Sequence, residues 1–115
     1  MRRSFRRAQL FINGVDVGRV LVKGWDGPWG IGDFTPGEHF AQFAPPFGLW
    51  SLLMHAKTVD GCLSDAASDE LRRVECEIDT LRAELLLDTR EGRPILQLNI
   101  DGPLIEWKED GSASR

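Results

Sequence analysis

Adjacent Glu38 and His39 are the residues best suited to acid–base chemistry in this 115-residue sequence. Histidine titrates near neutral pH and is the side chain that most often transfers protons in catalysis. Asp33 could orient the imidazole if the turn at Thr35-Pro36 brings the two side chains together. However, neighbouring residues on a helix point about 100° apart, so Glu38 and His39 would not share one target. No serine or cysteine lies in a nucleophile-elbow motif. We therefore expect a non-catalytic protein and predict no catalytic residues.

Seven of the ten aromatic residues lie within the segment 25–50. An aromatic-walled pocket with a few polar groups is the usual form of a small-ligand site. A chain of this size also needs bulky side chains for its core, and aromatic residues there are buried by default. We expect this segment, including Trp29, to be mainly core. If it forms a pocket instead, the candidate ligand-binding residues are Trp25, Trp29, Asp33, Glu38, His39 and Trp50.

The sequence contains no recognisable metal or cofactor motif. Cys62 and Cys76 are fourteen positions apart, and His39 and His55 do not complete a zinc-ligand spacing. The aspartates lack the alternation of a calcium loop, and the glycines between positions 14 and 32 do not form a phosphate loop. We predict no metal site and no cofactor, and we expect both cysteines to be free thiols.

The net charge of −4 combines a basic start with an acidic body. Four arginines lie in the first seven residues, so the sequence from Ala8 onwards carries a net charge of −8. An acidic body repels phosphate, which argues against a nucleic-acid partner. It favours a basic protein partner, because charge complementarity speeds association and sets specificity. Residues 1–7 are predicted to form a basic flexible arm, and residues 110–115 a frayed tail.

The first third of the sequence predicts β-strands. Residues 8–12 are apolar, and Asn13-Gly14 is a favoured hairpin turn. A second strand should return beside the first, with a bulge or bend at Gly18. Residues 25–29 contain Asp-Gly-Pro and predict a turn, which residues 30–34 follow as a short third strand.

The middle of the sequence predicts three helices. Thr35-Pro36 should open a short helix, and Pro45-Pro46 should end it, because proline cannot donate a helical hydrogen bond. Residues 47–60 carry one apolar stripe and predict a second helix that ends at a glycine. A third helix should begin near Ser68. Its apolar stripe consists of Leu71, Val74, Ile78 and Leu81.

The last third predicts strands over residues 85–87, 94–100 and 104–107, with turns at 88–93 and Asp101-Gly102. The order of strands, helices and strands predicts one α+β domain over the whole chain, residues 1–115.

Two hairpins that bracket a helical insert most simply give a single antiparallel sheet with the helices packed on one face. The edges of such an open sheet must be covered or charged, so we expect a possible homodimer. No apolar run approaches the roughly 20 residues that span a bilayer, and the basic start is not followed by a secretory signal. These features predict a cytoplasmic protein without a membrane partner.

The segment 28–43 carries a further pattern, Pro-Trp-x-x-Gly-x-Phe-x-Pro-x-x-x-Phe-x-x-Phe. In this segment and in element order, the chain resembles small bacterial proteins that have no established function. These share an opening hairpin, helices and a closing Ile-Asp-Gly hairpin like Ile100-Asp101-Gly102. The resemblance implies a fold type and brings no activity with it.

Two functions are compatible with these observations. The first is a non-catalytic protein-interaction or regulatory module, of the kind that immunity proteins represent, whose acidic body binds a basic partner. The alternative is a small-molecule-binding protein or minor enzyme, with a ligand held among Trp25, Trp29 and Trp50 and protons transferred by His39.

Overall fold

A computed structural model describes residues 6–87, 90 and 92–109, which form six β-strands and two α-helices. The strands are β1 (Arg6–Ile12), β2 (Val15–Asp26), β3 (Trp29–Pro36), β4 (Ala83–Leu87), β5 (Gly92–Asp101) and β6 (Leu104–Glu109). The helices are α1 (Ala44–Asp60) and α2 (Asp65–Asp79), preceded by one turn of 3-10 helix at Phe40–Gln42.

Parts of three predicted segments lie outside the described residues. These are residues 1–5 of the predicted arm, residues 88, 89 and 91 of the predicted turn, and the predicted tail 110–115. The last two arginines of the predicted arm, Arg6 and Arg7, are the first residues of β1.

The first hairpin forms as predicted. Asn13 and Gly14 have φ angles of 53° and 80°, as required at both central positions of the favoured two-residue turn. The predicted bulge is also present, because the β1–β2 register shifts beside Gly18. Gly18 has a φ of 154°, and a Cβ at this position would overlap the ring of Phe34. A glycine is therefore required for both conformation and space.

The second hairpin is tighter than the predicted turn over residues 25–29. Asp26 pairs with Trp29, so only Gly27 and Pro28 form the turn. The φ of 62° at Gly27 reverses the chain within these two residues. The predicted turn was too wide because a glycine at positive φ lets strand pairing continue up to Asp26. Both flanking tryptophans are consequently strand residues.

The predicted helix between Thr35-Pro36 and Pro45-Pro46 is wrong. β3 continues through Pro36, and only the 3-10 turn at Phe40–Gln42 follows before α1. Pro45-Pro46 begins α1 instead of ending a helix. Proline is tolerated in the first helical turn, because the N–H groups there have no intrahelical partner.

The later helix boundaries follow from their caps. Gly61 ends α1 with a φ of 81°, as predicted, and its N–H donates to the carbonyl of Lys57 over 2.9 Å. The helix α2 begins three residues before the predicted Ser68. The hydroxyl of Ser64 accepts a hydrogen bond from the N–H of Ala67 over 3.2 Å, so Ser64 is the N-cap.

The sheet closes into an antiparallel barrel with strand order β1-β2-β3-β6-β5-β4. The predicted α+β class and antiparallel pairing are confirmed, whereas the predicted open sheet is wrong, because its edge strands pair with each other. Residues 8–12 of β1 pair with β4, and residues 29–33 of β3 pair with β6. The bulges in β2 and β5 increase local twist, which lets the strands coil until the two hairpins meet. Closure pairs the edge strands of the predicted open sheet with each other. The unpaired edges of that sheet were the reason for expecting a homodimer.

One buried cluster joins the barrel interior to the helices. The helices lie in the connection 37–82, at the barrel end that holds the β1–β2 turn, where the N–H of Asn13 donates to the carbonyl of Arg82 over 2.7 Å. On α1, the hydroxyl of Ser51 donates to the carbonyl of Ile100 in β5 over 3.2 Å. The cluster consists of Ala8, Leu10, Ile12, Val17, Val20, Phe34, Phe47, Leu71, Val74, Ile78, Ala83, Leu85, Leu87, Leu98, Ile100, Ile105 and Trp107.

No helix in the described part of the chain is both long enough and apolar enough to cross a membrane.

Candidate functional site

Trp29 and Trp50, two of the predicted site residues, line the same cleft between the helices and the barrel. The cleft has a volume of about 290 Å³. Polar side chains from α2 and β5 complete its lining. We refer to it as the tryptophan cleft, and its lining residues are Trp29, Trp50, Glu75, Ile78, Asp79, Gln97, Leu98 and Asn99.

The two tryptophans reach the cleft from different elements. Trp29 is the first residue of β3, where Gly30, Gly32 and Phe34 are buried in the barrel. Side chains alternate along a strand, so Trp29 lies on the outer face. Trp50 follows Phe47 by one helical turn of α1, so it lies beside that buried ring and packs against the core. Both indoles are half-buried and keep part of their surface in the cleft.

The carboxylates of the cleft come from α2. Glu75 and Asp79 are four residues apart, which places them one above the other on one helix face. Both are exposed, and the cleft opens to solvent at their positions. Neither forms an ion pair with another described residue, since the arginines of α2, Arg72 and Arg73, are bound to Asp69 and Glu70. The cleft therefore holds two carboxylates without an ion-pair partner among the described residues, and Lys108 of β6 is the cation nearest in register, since it pairs with both Trp29 and Gln97.

The strand β5 contributes two amides to the opposite wall. Gln97 is exposed, and Asn99 donates from Nδ2 to Oε1 of Glu106 over 3.0 Å. This hydrogen bond orients the carboxamide of Asn99 and uses its Nδ2 atom as the donor. Gln97 keeps both a donor and an acceptor available to a bound molecule.

This arrangement favours a cationic group. Indole faces attract ammonium and guanidinium ions, and carboxylates add charge and hydrogen-bond acceptors. No histidine, serine or cysteine occurs among the described residues that line the cleft. The ionisable side chains that line the cleft are the carboxylates of Glu75 and Asp79.

The other predicted site residues lie elsewhere. Trp25 contacts Trp107 edge-on, with ring centroids 5.8 Å apart, and is 52% exposed. Glu38 and His39 lie in the exposed segment after β3, with Oε2 and Nε2 3.4 Å apart. Asp33 lies on the outer face of β3.

The carboxylate of Asp33 pairs with Nζ of Lys23 over 3.3 Å, so its ion-pair partner is a lysine and not His39. The six candidates do not converge on one site: Trp29 and Trp50 line one cavity, and Asp33 lines another.

The expectation of an aromatic core holds for only part of the segment 25–50. Phe34 and Phe47 are buried, and Phe40, Phe43 and Trp50 pack against the cluster half-buried. Trp29 does not belong to the core, so that prediction was wrong. Trp29 lies on the outer face of β3, because the inward-facing position beside it is occupied by Gly30.

Both cysteines are exposed free thiols, as predicted. In the described part of the chain, no three histidine, cysteine, aspartate or glutamate side chains lie close enough to hold a metal ion.

Sequence reasoning missed the polar residues of the tryptophan cleft. The spacing of Glu75 and Asp79 was visible as an acidic pair on one helix face. The alternation of Gln97 and Asn99 along a strand was visible as well. Nothing in the sequence indicated that α2 and β5 would lie beside Trp29.

No protein-family model, no curated protein and no solved structure matches this chain.

Proposed function

We propose that this protein is a non-catalytic interaction module that binds a basic protein partner, with the tryptophan cleft receiving one lysine or arginine side chain. The observation that carries the proposal is the convergence of two indoles and two unpaired carboxylates, those of Glu75 and Asp79, in one open cleft. A long cationic side chain matches both features, because its methylene stem packs on an aromatic face while its charged head meets carboxylates.

The charge of α2 supports a macromolecular partner. This helix carries six acidic residues and only two arginines, both of which are paired within the helix. The helix surface therefore presents excess negative charge around the cleft. Such a surface accelerates encounter with a basic protein and disfavours acidic partners.

The size of the cleft favours a side chain over a whole ligand. Pockets for drug-sized molecules usually have volumes of about 300–1,000 Å³ and enclose most of the ligand. This cleft is about 290 Å³ and open beside Glu75 and Asp79. A free organic cation is the alternative occupant, and it corresponds to the small-molecule hypothesis without a role for His39.

A titration followed by NMR tests the proposal with a ten-residue lysine peptide as the probe. The four tryptophans give four indole N–H signals. We expect the peptide to shift the signals of Trp29 and Trp50 and to leave that of the buried Trp107 unchanged. A ten-residue glutamate peptide should shift none of them. Absence of any shift at Trp29 and Trp50 would contradict the proposal.

A matched pair of variants separates the cleft from general electrostatics. Glu75→Gln combined with Asp79→Asn should weaken lysine-peptide binding about threefold to tenfold, since an exposed ion pair contributes roughly 0.2–1 kcal/mol. Glu77→Gln combined with Asp65→Asn removes the same charge from α2 outside the cleft and should have a smaller effect. Equal losses would mean that the cleft has no special part in binding.

A third titration addresses the alternative occupant. N-acetyl-lysine methylamide presents one side chain without the charge of a peptide. We expect it to bind at least tenfold more weakly than the lysine peptide, because most association arises from the surrounding acidic surface. Binding of equal strength would favour the small-molecule function over the protein partner.

A further inference from the structure

A second cavity lies on the outer face of the barrel and shares no residue with the tryptophan cleft. Its volume is about 610 Å³, roughly twice that of the cleft. It extends across β4, β1, β2 and β3, whose outward side chains form its polar and apolar walls. We refer to it as the outer groove.

Strand register places two arginines at diagonal positions in the outer groove. Arg7 of β1 pairs with Leu21 of β2, and Gln9 pairs with Arg19. The two arginines therefore lie on neighbouring strands with their Cα atoms roughly 7–8 Å apart. A single carboxylate between them could accept hydrogen bonds from both guanidinium groups.

The positive charge of these arginines is not neutralised by the rest of the described chain. Both side chains are exposed, and neither forms an ion pair with another described residue. The acid nearest in register, Asp33, is bound to Lys23 at 3.3 Å. The outer groove thus retains an excess of positive charge within a protein that is acidic as a whole.

The remaining walls of the groove are largely apolar. Leu21 and Leu86 are half-buried on the outer face, where they flank the arginines. Leu86 pairs with Gln9 across β4 and β1, so an apolar side chain borders the polar row on that side. A hydrated inorganic anion would gain nothing from these leucines, whereas a molecule with an apolar chain would bury them.

We propose that the outer groove binds a small amphipathic carboxylate, with its carboxylate at Arg7 and Arg19 and its hydrocarbon chain over Leu21 and Leu86. Arginine suits this role, because its planar guanidinium matches a carboxylate with two parallel hydrogen bonds. Two cations beside an apolar wall are too few for a nucleic-acid surface, which needs a row of phosphate contacts.

Decanoate below its micellar concentration is the test probe, with binding measured by calorimetry and by the rise in melting temperature. We expect decanoate to bind more tightly than hexanoate by about tenfold or more, since each buried methylene contributes roughly 0.8 kcal/mol. Decanol and decyltrimethylammonium present the same chain without a carboxylate and should bind at least about fivefold more weakly. Equal binding of decanol and decanoate would overturn the proposal.

Variants locate the binding site. Arg19→Gln and Arg7→Gln should each weaken decanoate binding about fivefold, whereas Lys57→Gln, which removes an exposed cation from α1, should leave it unchanged. Thr35→Glu places a carboxylate opposite Arg19 in the register of β2 and β3 and should also weaken it. Circular dichroism verifies that each variant is folded. An equal loss in Lys57→Gln, or no loss in either arginine variant, would overturn the proposal.

Discussion

The indole of Trp107 lies directly over Gly30 inside the barrel. These two residues pair across β3 and β6, and Trp25 pairs with the same glycine from β2. Two tryptophans thus flank one glycine in a row across three strands, and their rings meet edge-on. The missing side chain of Gly30 makes the space that the buried ring of Trp107 occupies.

Gly30→Ala should lower the free energy of unfolding by about 1–3 kcal/mol, the usual cost of overpacking a core. The added Cβ would overlap the indole of Trp107. Urea titration measures the change. Gly24→Ala is the matched control, because a Cβ there meets no atom within 4 Å. Equal effects of the two substitutions would show that the contact with Trp107 does not limit position 30.

Trp29→Ala and Trp107→Ala should differ strongly in stability. Trp107 is 1% exposed, and deletion of a buried aromatic ring costs about 3–5 kcal/mol. Trp29 is half-buried outside the core cluster, so we expect a loss near 1 kcal/mol or less. The two values come from urea unfolding with unchanged denaturant slopes. A loss above about 3 kcal/mol for Trp29 would return this residue to the core.

At the scale of elements, the two helices differ in how their sequences specify them. The helix α2 has an apolar stripe and a charged face, and its buried residues are three of the four that the periodicity predicted, Leu71, Val74 and Ile78. The fourth, Leu81, lies beyond the end of the helix at Asp79 and is half-buried. The helix α1 is apolar around most of its circumference, and Phe47 is its only buried residue in the described structure. Its boundaries depend on the prolines at its start and on Gly61 at its end.

Ser64→Ala should destabilise the protein by about 1 kcal/mol, because it removes the side-chain acceptor from the first turn of α2. Ser68→Ala is the control, since this residue lies inside the helix and alanine is the best helix former. We expect its effect to stay within about 0.5 kcal/mol. Thermal unfolding compares both variants with the unaltered chain. A larger loss for Ser68 would mean that the helix begins there.

At the scale of the whole molecule, closure of the barrel determines which backbone amides are protected from hydrogen exchange. In an open sheet of two hairpins, one side of β1 would face solvent or a second copy. In the barrel, β1 pairs with β2 on one side and with β4 on the other. Its amides alternate between these two partners, as they do in every antiparallel strand.

Hydrogen exchange should therefore be slow at consecutive amides of residues 8–12. An unpaired edge would leave every second amide of this segment open to fast exchange. NMR after transfer into heavy water distinguishes the two patterns. Protection in β2 serves as the internal reference, since this strand is paired with β1 and β3 in either topology. Alternating fast and slow amides in β1 would contradict closure.

Local signals in the sequence were sufficient for most individual elements. Asn13-Gly14 determined a hairpin, Gly61 determined a helix end, and the spacing of Leu71, Val74 and Ile78 determined a buried helix face. These features depend on backbone conformation or on one face of one element, so neighbouring residues contain the information. The meaning of Pro45-Pro46 was not local, because proline marks the end of one segment or the beginning of another.

The tertiary structure alone decided closure and the composition of the candidate site. Pairing of β1 with β4 joins segments more than seventy residues apart, and it depends on accumulated twist and on the bulges. The tryptophan cleft likewise needs α2 and β5 beside Trp29, a juxtaposition that no spacing in the sequence contains. The residue types that could bind a cation were present in the sequence, but their convergence is a consequence of long-range packing.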